Sequence, residues 1–411
     1  MKTLALAFLV SCAATAASAA PPLSLSEAIA LGLSNNRRLA NAAAEVQKAE
    51  EDVANACLFP DCVFNRANHE KHTMRYVSVS TRTAGALGIV VAGAAVVVLA
   101  QSTTSTRDAV RRGVAYLERE VPRWRAEHPC YSCHNNGDAA RALLAASARG
   151  HRVDRALAGT LDWLAHPEQW DQNKGEGGFD DKPLAHVQFA AGLTSAYEAK
   201  IPGASAAALA RAAEMVAADQ KGDGSWRLDT SQGVGSPVTY GAALVTWSAL
   251  RTLRASGERR FDPAIARADA WLRQVAVETV LDASAVTLAL DSARDEQAVR
   301  QRFRCLEILK RGQGPDGGWG PYVTSAAEPF DTSLALLALE TAHRNPVLAG
   351  PVLLPSEVYT AIDRGTRFLV DRQLDEGSWP ETTRPPHQES YAQRISTAAW
   401  ALLALMETSG R

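Results

Sequence analysis

The stretches "QKGDGSW" (Gln220–Trp226), "QGPDGGW" (Gln313–Trp319) and "QLDEGSW" (Gln373–Trp379) each set a glutamine six residues before a tryptophan, with an acid and a glycine between them. A fourth, "QNKGEGGF" (Gln172–Phe179), is one residue longer and closes on phenylalanine. Each follows a segment with helical spacing of apolar residues. Each precedes an Ala/Leu-rich one: "HVQFAAGLTSAY", "TYGAALVTWSALRTL", "FDTSLALLALETA" and "ISTAAWALLALME". The unit is a helix, a turn tightened by glycine and plugged by an aromatic ring, and a second helix.

Working outward, six such hairpins can be drawn. Arg107–Arg125 leads through "CYSCH" to Asp138–Ala148, and Asp154–Ala165 leads to the Phe179 turn. Ser205–Asp219 leads to the Trp226 turn, and Pro263–Val277 to "DASAVTLALDSA" with no tryptophan turn. Glu296–Lys310 and Ser356–Asp371 lead to the last two turns. Two helices in each unit of roughly 45–60 residues make an all-α array whose units bury their apolar faces on one another.

The glutamine–tryptophan turns, with "STAAWALLAL" (Ser396–Leu405), resemble the squalene cyclase and prenyltransferase repeat superfamily, terpenoid cyclase-like proteins. The resemblance covers residues 107–411 and implies an α/α toroid of paired inner and outer helices. It speaks for the fold and not for an activity. A cyclase of that family starts its reaction with a carboxylic acid in a D-x-D-D motif. The nearest match here is Glu328-Pro-Phe-Asp331, with phenylalanine in the place of the acid. Asp180-Asp181 in "GGFDDK" is a second acidic pair without a leading aspartate. Asp180, Asp181 and Asp331 are therefore the catalytic candidates, each weighed against a solvated or helix-capping role.

The family's prenyltransferases hold zinc through Asp, Cys and His. At the matching place this chain has Asp331-Thr-Ser333, with serine for the thiolate, so no zinc is expected. Cys305, in the outer-helix segment "FRCLEILK", reads as a small buried apolar residue. Arg384, His387 and Arg394 in "TTRPPHQESYAQR" could hold acidic sugars in a lyase. With no catalytic constellation beside them they read as surface charges.

The first turn differs from the rest. "HPCYSCHNNG" (His128–Gly137) holds Cys130, Cys133 and His134 in the order C-x-x-C-H, the spacing that attaches haem c by two thioethers and gives iron an axial nitrogen from His134. A disulfide or redox pair and a zinc or purely structural turn stay open beside it. Distal iron ligands could be His128, His151 or Met215, or the iron could be five-coordinate.

The N-terminus carries two export signals. Lys2, the run "LALAFLV" and Ala17-Ser18-Ala19 form a signal peptide over residues 1–19, with a lipobox ending at Cys12 as the rival reading. Residues 20–60 have an amphipathic helical pattern. Leu25, Ala28, Ile29, Leu33, Asn35, Asn36, Leu39 and Pro60 resemble the start of outer-membrane efflux (TolC-like) proteins, without the strands a barrel needs. Within the linker 61–106, the uncharged run Ala84–Ala100 behind Arg75 and Arg82 is an inner-membrane anchor or a second signal. A start at Met74 would export everything after Ala100. A start at Met1 with a stop at Ala84–Ala100 would leave it in the cytoplasm, where haem is not attached to such a motif.

With 43 basic and 45 acidic residues there is no electrostatic footprint for nucleic acid. The reading is an exported toroid of the periplasm or cell envelope. It carries haem at its first turn and moves electrons to a redox partner or oxidises an apolar ligand in the toroid cavity. Its alternatives are a terpenoid cyclase-like enzyme with an altered acid, and a non-catalytic binding scaffold.

Overall fold

The computed structural model describes residues 106–128, 130–173, 182–227, 234–237, 239–344, 354–384 and 390–409. The chain divides into two compact units, Met1–Thr81 and Arg82–Arg411, and all described residues belong to the second. The signal, efflux-like and anchor segments expected before residue 106 lie outside the described residues. Among the described residues no helix is long and apolar enough to cross a membrane.

Twelve α-helices alternate along the described chain. The odd-numbered ones are α1 (106–127), α3 (Asp154–Leu164), α5 (Ala206–Ala218), α7 (Asp262–Gln274), α9 (Glu296–Gly312) and α11 (Pro355–Arg372). The even-numbered ones are α2 (Ala140–Ser147), α4 (Lys182–Glu198), α6 (Gly241–Ser256), α8 (Val280–Ala289), α10 (Pro329–Arg344) and α12 (Tyr391–Thr408). A π-helical segment, Cys133–Ala139, leads into α2.

The even helices pack in series, α2 on α4, α4 on α6, α6 on α8, α8 on α10 and α10 on α12, and α12 returns to α2. The ring closes. The odd helices lie outside it, each in contact with the inner helix or helices beside it. Inner helices are buried almost all round, as α4 and α10 show, because they have neighbours on both sides, an outer helix behind and the ring axis in front. Outer helices keep the one-faced pattern of a surface helix: α9 buries Ala298, Arg302, Cys305, Leu306 and Leu309, about one turn apart, and exposes charge elsewhere. The fold is the expected all-α toroid, an α/α ring of six hairpins among the described residues.

The motif turns hold the ring together. Each glutamine amide donates twice, once to the carbonyl of its own turn glycine and once to a carbonyl on the next outer helix. Gln220 reaches Gly224 and Ala264, Gln313 reaches Gly317 and Ala361, and Gln373 reaches Gly377 and Ala109, all at 2.8–3.0 Å. The last joins α11 to α1 across 264 residues. Each tryptophan indole donates to a carbonyl ten residues back at the end of its own outer helix: Trp226 to Val216, Trp319 to Leu309, Trp379 to Leu369. Glycine is required between them. Gly377 has φ +97°, and a Cβ there would stand 2.3 Å from the Arg112 carbonyl oxygen of the neighbouring helix. The repeat is thus a staple between successive outer helices.

Three turns depart from the rule, the "CYSCH" turn among them. The Phe179 plug lies outside the described residues. In that hairpin Trp170 is buried in the short 3₁₀ helix Pro167–Gln172 and donates to Trp163. The α7–α8 connection, which lacks a tryptophan, is tied instead by Gln301 of α9 to the Val275 carbonyl.

Candidate functional site at the toroid axis

Because every hairpin runs outward helix first, the six inner helices are parallel and their N-termini share one end of the ring. Charged and polar side chains from five of them meet there. Asp138 is the last but one residue of the π-helical segment, and its carboxylate accepts hydrogen bonds from the Tyr240 hydroxyl, the Ser396 hydroxyl and the Gln188 amide. The close approach of that segment to α4 depends on Gly137, where a Cβ would fall 2.8 Å from the Gln188 carbonyl oxygen. Tyr240 caps α6 with φ +61°, a left-handed conformation that costs a tyrosine about 1–3 kcal/mol. The surrounding packing holds it there, with its hydroxyl on Asp138.

Tyr240 meets Trp400 of α12 edge to face at 5.8 Å, and Phe330 of α10 meets the same indole at 5.9 Å. α6 and α12 stand opposite one another in the ring, so these rings meet across the axis. Arg141, one turn beyond Asp138, lies over Trp400 at 4.5 Å from the ring centroid and 3.7 Å from the Asp138 carboxylate. Burial pushes the pKa of Asp138 up to about 6, against the pull of Arg141, Ser396 and Tyr240. The Tyr240 hydroxyl is raised well above its ordinary value by burial and by Asp138.

Asp331 stands in the first turn of α10, 0% exposed. Its position follows from the neighbouring staple, since the Trp319 carbonyl accepts from the Glu328 backbone amide and from Thr332 Oγ1. Oδ2 of Asp331 accepts from Arg384, which also donates to the Gly235 carbonyl and to Glu328 at 3.2 Å. Oδ1 of Asp331 is buried and has no hydrogen-bond partner. Burial, with the Glu328 charge adding to it, pushes Asp331 up to about 7 against the attraction of Arg384. Gly235, whose carbonyl accepts from the Arg384 that holds Asp331, and Tyr240, which donates to Asp138, lie five residues apart in the chain.

Several candidates are relocated. Arg384 is not a surface charge: its side chain is mostly buried between Asp331, Glu328 and Gly235, because three acceptors from two segments converge on its guanidinium. Arg394 does pair at the rim, bidentately with Glu381. Asp180, Asp181 and His387 lie outside the described residues. Ser333, in the place of a zinc thiolate, donates to the Pro329 carbonyl. Cys305 is a buried residue of α9, and burial pushes its thiol up to about 12.

"CYSCH" does lie between an outer and an inner helix, in the place of a staple turn. Tyr131 stacks on Trp163 at 4.3 Å, and its backbone exchanges two hydrogen bonds with the Asn173 side chain. Cys130 is buried and Cys133 half-buried. The His134 ring is buried with Nδ1 lacking a hydrogen-bond partner, and burial lowers its pKa to about 4 against a hydrogen bond that the ring donates to the Pro237 carbonyl. Of the distal-ligand candidates, His151 follows the far end of α2, and Met215 is on α5, which packs against α4 and α6. Both stand apart from His134 because an inner helix intervenes. His128 stacks on Trp124 at 3.9 Å and bonds its carbonyl through Nδ1. Among the described residues no three His, Cys, Asp or Glu side chains converge as a metal site.

Sequence reasoning missed Asp138. The signal was its place: it precedes the inner-helix run "AARALLAA" much as Asp331 precedes "TSLALLAL".

No family model matches the chain. A terpene cyclase/mutase from Nectria sp is 33% identical over 117 residues, which is 28% of this chain and 14% of that protein. Lanosterol synthase from Saccharomyces cerevisiae is 30% identical over 116 residues, 27% of this chain and 14% of the synthase. Among solved structures, a variant of the type II terpene cyclase MstE from Scytonema in complex with geranylgeranyl dihydroxybenzoate is 15% identical. That comparison covers 75% of this chain and 99% of the cyclase at a TM-score of 0.47. The apo form of that cyclase is 14% identical, with coverage of 74% and 99% and a TM-score of 0.46. Over somewhat more than a quarter of its length, this chain is similar in sequence to cyclases of terpenes and sterols.

Proposed function

We propose that the chain is an acid-initiated terpenoid cyclase-like enzyme and that Asp331 is its proton donor. The observation that carries this reading is the state of Asp331: wholly buried, one oxygen held by Arg384, the other without a partner, and a pKa near neutrality. An alkene is protonated only by an acid that keeps its proton in an apolar site and whose carboxylate is stabilised once the proton has gone. In the step, the Asp331 O–H bond breaks and a C–H bond forms at the alkene carbon. The cation is left on the substrate and the negative charge on a carboxylate already in contact with Arg384. The π-faces of Trp400, Tyr240 and Phe330 would stabilise that cation. Loss of a proton at the end makes the reaction an isomerisation with no net redox change. The sequence similarity to proteins named as cyclases supports the same reading.

The test is product analysis with squalene and with geranylgeranyl substrates. Cyclised product is expected from the wild type, with a rate loss of about 10²-fold or more in Asp331→Asn at unchanged far-UV dichroism. Turnover equal to the wild type in that variant would refute the assignment. Binding without turnover in the wild type would favour the scaffold reading.

Covalent haem at Cys130, Cys133 and His134 is the second reading, and burial that keeps His134 neutral favours it. Burial of Cys130 counts against it, since both sulfurs and the histidine must meet one porphyrin. Absence of a Soret band after co-expression with haem-attachment factors would dismiss it.

A further inference from the structure

Arg141 belongs to neither the staples nor the proton-donor pair. Its guanidinium is 7% exposed, and Nη1 has no hydrogen-bond partner. Among the described residues it lies over the Trp400 ring and 3.7 Å from the Asp138 carboxylate, beyond hydrogen-bond distance. A buried guanidinium nitrogen left without a hydrogen bond is costly, and buried arginines are ordinarily hydrogen-bonded to anions or carbonyls.

The nearby charges answer it only in part, since Asp138 forms an ion pair with Nη1 but no hydrogen bond. Asp138 is already engaged by Tyr240, Ser396 and Gln188. Glu198 is taken by Arg251, which also donates to Ser195 Oγ. Arg251 stands close enough to Arg141 for the two positive charges to act on one another. A further donor lies beside them: the Trp400 indole N–H is turned toward Asp138 but makes no hydrogen bond of normal geometry. The missing complement to these groups is therefore an acceptor with negative charge. A guanidinium fork matches the two oxygens of a carboxylate or phosphate.

We propose that Arg141 forms an oxyanion-binding subsite at the toroid axis, and that the ligand of this protein carries a carboxylate or phosphate group that binds there. The proposal rests on the axis being the ligand site, as in the proposed function, but not on Asp331 being an acid.

Equilibrium binding to the full chain tests it, with geranylgeranyl phosphate, geranylgeranoate and geranylgeraniol as probes of one chain length. Measurements are made on the wild type and on Asp331→Asn, so that turnover does not enter. At least one acidic probe should bind about tenfold or more tighter than the alcohol. The preferred acid distinguishes phosphate from carboxylate. Arg141→Gln should abolish the preference, and Arg141→Lys should keep part of it. Equal affinity for acid and alcohol, a preference that survives Arg141→Gln, or no saturable binding of either acid each overturns the proposal. Should Arg141→Gln fail to fold, the wild-type comparison and Arg141→Lys decide. Inactivity of the wild type toward every substrate, with the preference intact, would sink the cyclase reading and leave the subsite standing.

Discussion

The staple turns on the rim and the polar cluster on the axis are built from the same kinds of residue and treat them oppositely. At Trp379 and Gln373 the indole N–H and both amide protons have partners at 2.7–3.0 Å, with Gln373 Oε1 buried and unpartnered, and three different turns repeat the donor arrangement almost atom for atom. At the axis, Arg141 Nη1, Gln188 Oε1, Asp331 Oδ1 and Arg384 Nε are buried without partners. A folded protein tolerates buried polar groups in that state only where something else repays them, and ligand sites are where this occurs. The rim therefore satisfies its donors, while the axis gathers several unpartnered buried atoms at one place.

The comparison breaks first at the rim. Trp379→Ala should cost about 3–5 kcal/mol, because it empties a fully buried site and strands the Leu369 carbonyl. Thermal or urea unfolding measures it, and a loss near zero would mean that the turn is ornamental. Substrate binding by the folded fraction should stay unchanged.

A second effect separates the regions by pH. With its folded pKa raised from 3.8 to about 7, Asp331 contributes stability that is complete below about pH 4 and is lost as pH rises toward 7. Wild type should therefore lose stability relative to Asp331→Asn across that window. Activity should fall by about tenfold per pH unit above roughly 7 as the proton is lost. A flat difference between the two chains from pH 4 to 7 would show Asp331 to be ionised throughout.

The smallest effect sharpens the ring closure. Gln373→Leu removes the two hydrogen bonds that bind α11's turn to itself and to α1, and should cost about 1–2 kcal/mol. Hydrogen exchange should show the added opening at α1 and α11, at the seam and not in α6.

How much of this was legible follows from sequence distance. The hairpins and staples were readable because each is written within a few residues: glutamine, glycine and tryptophan lie inside one seven-residue motif, and helical periodicity is local. Cys305 was read correctly as a buried apolar residue for the same reason. Arg384 was misplaced because its burial depends on Asp331, 53 residues away, and on Gly235, 149 away. Asp138 went unnoticed beside "CYSCH", since its partners Tyr240 and Ser396 are 102 and 258 residues distant.

By itself, then, the sequence determined an all-α array of six hairpins with stapled turns, because helix and turn formation are short-range and repeat their residues. Only the tertiary structure decided that Phe330 sits against Trp400 while Asp331 beside it is buried with a raised pKa, and that Arg141 lies buried with Nη1 lacking a hydrogen bond. Burial and charge pairing are properties of what surrounds a side chain. At the axis of a closed ring those surroundings come from helices far apart in the chain.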